Sequence, residues 1–116
     1  MALHTQLPIY RDAYQLLQLL VRITRHIPRD FKRLIGEKVR DEAVEILVLV
    51  FRTNVHRNKA PYLTDLIERV QVVELIMRMS KDMKLISIGQ HAQIISLTQS
   101  IGKQATGWKK SVASAA

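Results

Sequence analysis

The chain contains no cysteine. Disulfide frameworks, cysteine-built zinc sites and thiol chemistry are therefore excluded, and the absence suits a reducing, cytoplasmic setting. Long apolar runs are missing too. The longest, Ile46 to Phe51, is far short of the roughly 20 residues that a membrane-spanning helix needs. The opening MALHTQLPIYRDA has no basic segment ahead of an apolar one, so no secretory signal is expected. Acidic side chains are scarce, 10 against 18 lysines and arginines, which leaves a formal charge of +8. That balance calls for an anionic partner: nucleic acid, an acidic protein face or an anionic membrane.

Catalytic and metal motifs are also lacking. No glutamate has a histidine three residues on, as di-iron bundles require. His4, His26, His56 and His91 are scattered without metal-ligand spacing. There is no Gly-rich phosphate loop and no nucleophile elbow. Glu37, Asp41 and Glu45 fall on one helical face, but Lys38 and Arg40 neighbour them and point to salt bridges rather than acid–base work. No metal, no cofactor and no enzyme activity are expected.

With 3 prolines and 4 glycines, each break carries weight. Pro8 opens a first helix, where its missing N–H costs nothing. Ile9, Ala13, Leu16, Leu20, Ile23 and Ile27 then step by three and four along one face. Pro28 ends that helix and starts the second, whose inner face is Phe31, Ile35, Val39, Ala43, Ile46 and Val50. The Val- and Ile-rich stretch 43–51 could pass for a strand, but the helical period around it favours helix. NVHRNKAP, residues 54–61, is a polar loop, and Pro61 begins a third helix with Leu63, Leu66, Val70, Val73 and Met77 inside. Ser87 and Gln90 have capping-box spacing for a fourth helix carrying Ile94, Leu97, Ile101, Ala105 and Trp108. Gly107 is the expected stop. The expected architecture is all-α: an antiparallel up-down-up-down four-helix bundle over residues 1–108, with 109–116 a flexible tail.

Three helices carry a second apolar stripe. Tyr10, Tyr14, Leu17 and Val21 line up on the first, Val44, Val48, Phe51 and Val55 on the second, and Val72, Ile76, Met79 and Met83 on the third. A bundle this small cannot hide them all, so self-association into a closed cyclic oligomer is expected. The alternative is a wide core face with scattered exposed apolars. Tyr14, Val44, Val48, Phe51 and Ile76 are the candidate interface residues.

The charge gathers at the helix ends. Arg22, Arg25, His26, Arg29, Lys32 and Arg33 share one pole with Arg78, Lys81 and Lys84. Helix C-termini favour cations, which accounts for Arg22, Arg25, Arg78 and Lys81. It does not account for Arg29, Lys32 and Arg33, which sit at a helix N-terminus. Arg29, Arg33, Gly36 and Arg40 fall on one α-helical face, against which an anion could be held. The other pole has Arg52, His56, Arg57, Lys59, Lys103, Lys109 and Lys110. Nothing suggests base-specific reading, so contact with phosphate backbone and shape is expected.

IPRDFKRLIGEKVRDEAVEILVLVFRTN, then KAPYLTDLIERVQVVELIMRMSKDMKLIS, then ATGWKKS, resembles the accessory variability determinants (Avd) of diversity-generating retroelements. These four-helix proteins are similar in turn to those encoded by intervening sequences of bacterial 23S ribosomal RNA genes. The resemblance runs from Leu7 to Ser111 and is carried by helix breaks, glycine and basic positions. It implies a non-catalytic homopentameric ring that binds the element's reverse transcriptase and template RNA and supports mutagenic complementary DNA synthesis. It also implies binding roles for Arg22, Arg25, Arg29, Lys32, Arg33 and Arg40, with Arg52, Arg57 and Lys59 at the other pole. DNA shares the phosphate chemistry and is not separated from RNA by sequence.

Two other readings compete. One is an interaction protein of the intervening-sequence kind, without a polymerase partner. A reverse-transcriptase gene alongside favours the accessory subunit, whereas a location inside a ribosomal RNA gene favours the competitor. The other is a membrane-surface protein, which the acidic breaks at Asp41, Glu42, Glu45 and Glu74 disfavour, so no membrane partner is expected.

Overall fold

Four long helices account for almost all of the chain in the computed structural model, which describes residues 3–115. A short 3-10 turn, His4–Gln6, precedes α1, Pro8–Thr24. The second helix, α2, is continuous in three stretches: Arg29–Phe31, a π-helical segment Lys32–Glu37, and the α-helical Lys38–Val55. Helix α3 spans Ala60–Asp82 and α4 spans Ile88–Ala115. No strand occurs among the described residues.

Each helix packs on its sequence neighbours and α4 closes back onto α1. The bundle measures 47 × 20 × 20 Å. The arrangement follows from the apolar periodicity. Ala13, Leu16, Leu20, Val39, Ala43, Ile46, Leu63, Leu66, Met77, Ile94 and Ile101 are all fully enclosed. On α2 the buried positions Val39, Glu42, Ala43, Ile46, Leu49, Val50 and Thr53 keep helical steps throughout the β-branched run. Burial on one stripe therefore outweighs local β propensity.

The helix ends are set by local chemistry. Pro8 and Pro61 occupy first turns. Ser87 and Gln90 form the expected reciprocal cap: Gln90 N–H donates to Ser87 Oγ at 3.0 Å, and Ser87 N–H donates to Gln90 Oε1 at 2.9 Å. Helix α3 ends with Lys84 N–H donating to Lys81 O and Leu85 N–H to Ser80 O, the paired bonds of a Schellman ending. Lys84 takes the left-handed position, with φ of 60°.

Two boundaries differ from expectation. The second loop is shorter, because α2 runs to Val55 and α3 starts at Ala60. Helix α4 does not stop at Gly107 but continues to Ala115, with Trp108 and Val112 packed against the core. An apolar residue at 112 gives the last turns something to bury, which outweighs one glycine. Ala116, the end of the expected tail, and Met1 and Ala2 lie outside the described residues. No helix among the described residues is long and apolar enough to cross a membrane.

Candidate nucleic-acid interface

The bundle sorts its cations into paired and unpaired sets. In its middle, Arg69 of α3 donates through Nη1 to both carboxylate oxygens of Glu42 on α2, at 3.1 and 3.2 Å. Arg69 Nε also donates to Asp65 at 3.2 Å, and Lys38 lies 3.0 Å from Glu42. The Glu42 bond first, and its charge second, raise the Arg69 guanidinium pKa above its ordinary value. At the far end of α2, Arg52 reaches Glu45 at 3.9 Å.

At the first pole the picture reverses. Arg22, Arg25, Arg29, Lys32, Arg33 and Arg40 have no carboxylate partner among the described residues. All are exposed except Arg40, which is half-buried. The expected single face of Arg29, Arg33, Gly36 and Arg40 is not what forms. The π segment intervenes, and the side chains that share a cavity with Gly36 are Arg25, Lys32 and Arg40. In an unbroken α-helix residues eight apart are about 80° out of line. A π turn takes up about one extra residue, which returns Lys32 and Arg40 to a common side. Arg22 lies elsewhere, in a cleft of about 330 Å³ between α1 and α4 with His26, Gln90 and Gln93. From α3, Arg78 lines a groove with Glu74 and His91, and Lys81 is 3.9 Å from Asp82.

The other pole is less uniform. Lys59 Nζ donates to the carbonyls of Thr53 at 2.7 Å, Asn54 at 3.2 Å and His56 at 2.8 Å. All three of its protons are spent capping the end of α2. Arg57 is exposed without an ion pair among the described residues, and Lys103 and Lys110 line a groove of about 720 Å³ between α3 and α4.

Of the candidate assembly residues, Tyr14 is 48% exposed, Val44 46% and Phe51 45%. Val48 and Ile76 are half-buried, and Ile76 packs against the core. Tyr14 stacks on Tyr10 with ring centroids 6.3 Å apart. His4 bridges Tyr10 and Phe51 edge-on at 5.3 and 5.0 Å, so α1 and α2 present one aromatic strip.

Several features escaped the sequence reading. Glu42, rather than Glu37, Asp41 or Glu45, makes the ion pair between helices. The spacing of Lys38 to Glu42 and of Asp65 to Arg69 was its available signal. Asp12 accepts from Ser100 Oγ at 2.6 Å and Gln104 Nε2 at 2.7 Å, fixing α1 against α4. Nothing in the periodicity announces the π segment. Among the described residues, no three histidine, aspartate or glutamate side chains gather as a metal site.

Fold and charge together define a class: a small four-helix bundle with one buried carboxylate paired across its helices and, among the described residues, a crown of cations without carboxylate partners at one end. Within that class the chain belongs to the bAvd-like family, whose model matches residues 7–112 and so reaches into all four helices. No curated protein matches the chain.

Proposed function

We propose that the chain is a non-catalytic accessory protein of a diversity-generating retroelement. It binds the element's reverse transcriptase and template RNA through its basic ends, acts as a homopentameric ring and supports mutagenic complementary DNA synthesis. Family membership over residues 7–112 is the observation that carries this reading. The arginines and lysines without carboxylate partners at the first pole support it, because they are free to make charge-assisted hydrogen bonds to phosphate, which the arginine fork suits. The partly exposed aromatic strip on α1 and α2 supports the ring, because an exposed apolar patch marks a protein–protein contact; a closed oligomer would in turn repeat the cationic cluster and make its binding avid.

The test combines solution mass with RNA binding. Light scattering should give a closed oligomer. Binding to single-stranded template RNA should weaken with salt at a log–log slope of about −0.7 per phosphate contacted. Co-expressed reverse transcriptase should co-purify with it. A monomer indifferent to both RNA and polymerase overturns the reading.

A further inference from the structure

Three cations close on one small cavity where the end of α1 meets the start of α2. Arg25 follows the last residue of α1, and Lys32 and Arg40 come from α2. Thr24 and Gly36, both buried, and Val21 complete the lining, and the cavity volume is about 200 Å³. Sites for drug-sized molecules run to roughly 300–1,000 Å³. This one is too small for a nucleotide and has room for one compact anion.

Like charges held together without a counter-ion repel. None of the three has a carboxylate partner among the described residues, although carboxylates elsewhere on α2 are paired. The negative end of α1 opposes an anion here, so the three cations must outweigh it, and some of the carbonyls near that end already accept hydrogen bonds. Thr24 Oγ1 donates to Leu20 O at 2.6 Å, His26 N–H to Ile23 O at 3.2 Å, and Ile27 N–H to Thr24 O at 3.3 Å. Gly36 is not forced on the site by sterics. A Cβ there would meet Thr24 Cβ at 3.5 Å, an ordinary contact, so alanine would fit, its methyl group resting against Thr24, another residue of the lining.

We propose that this cavity is a phosphate pocket in which Arg25, Lys32 and Arg40 hold one phosphate group. Its occupant in the working complex is a backbone phosphate of the bound RNA. That second statement rests on the function proposed above, whereas the pocket itself does not.

The test uses the full isotope-labelled chain and follows amide resonances by NMR. Inorganic phosphate is titrated against chloride at matched ionic strength. Saturable shifts centred on Thr24 and Gly36 are expected. They should be lost in Lys32→Gln/Arg40→Gln and weakened in Gly36→Ala, which narrows the cavity without removing charge; circular dichroism confirms that each variant is folded. Shifts that are linear, dispersed and unchanged in the double variant overturn the pocket. A second arm adds single-stranded RNA. RNA should displace phosphate from Gly36, and the double variant should lower the salt slope of RNA binding by at least about one phosphate contact. If phosphate saturates while RNA binds undisturbed elsewhere, the pocket serves free phosphate and the backbone assignment falls. If phosphate saturates and RNA does not bind at all, the proposed function falls and the pocket stands.

Discussion

Arg69 grips Glu42 through both carboxylate oxygens across the α2–α3 interface, and Glu42 is only 3% exposed. This pair fixes the rotation of α3 against α2 in the middle of an otherwise apolar seam. Its value is best seen in what its loss would leave behind, a buried carboxylate short of partners.

Arg69→Ala should therefore destabilise the fold by about 2–3 kcal/mol, below the roughly 3–5 kcal/mol of a fully enclosed pair. Lys38 still reaches Glu42, and Arg69 itself is partly exposed. Glu42→Leu combined with Arg69→Met should recover most of the loss, since burying neither charge avoids the desolvation cost. Urea denaturation of the three variants measures both effects. A single variant as stable as the parent would show that the pair is energetically idle.

Lys84 holds a left-handed backbone where glycine is the usual residue. Lys84→Gly should stabilise the chain by about 0.5–1 kcal/mol, the relief of Cβ strain outweighing the extra chain entropy. Thermal melting reads this directly. An unchanged or lower Tm would mean that the lysine side chain makes a compensating interaction.

Lys59 has a structural task that its position in a basic loop conceals. Lys59→Met should cost about 1 kcal/mol of stability by uncapping α2. Its effect on RNA binding should be smaller than that of Arg57→Met, because the ammonium protons already serve backbone carbonyls. Paired melting and RNA titrations separate the two roles. Equal losses of RNA affinity from both variants would return Lys59 to the binding surface.

Val48→Asp places a charge on the half-buried edge of the α2 stripe, between exposed Val44 and Phe51. Sedimentation should show a smaller species with helical content retained. An oligomer of unaltered mass would remove Val48 from the contact between copies.

The bundle was legible because its evidence is local and repetitive. Ile9 through Ile23, Val39 through Val50 and Leu63 through Met77 each announce a buried stripe by spacing alone, and Ser87 with Gln90 announces a cap. Gly107 misled because a helix end depends on what lies beyond it, and Val112 supplies burial that a single-residue rule ignores. The basic pole was legible as a region but not as a site. Its grouping of Arg29, Arg33, Gly36 and Arg40 assumed a period of 3.6, and one widened turn was enough to exchange Lys32 for Arg33. Lys59 and Glu42 were hidden for two other reasons: Lys59 folds back on carbonyls at the end of the preceding helix, which a side-chain pattern does not show, and the reach of Glu42 to Arg69 is a tertiary contact that spacing along either helix only hints at.

The widened turn of Lys32–Glu37 also makes the pole adjustable by chain length. A π turn accommodates one surplus residue inside a helix that is otherwise regular. Deleting one residue there would restore an ordinary α-helix and leave Val39, Ala43 and Ile46 in phase with the core. Everything before it on α2, Arg29 included, would swing by about 100°. Charge placement at this end is thus tied to one surplus residue, whose loss would also turn Phe31, packed on the core, out of register.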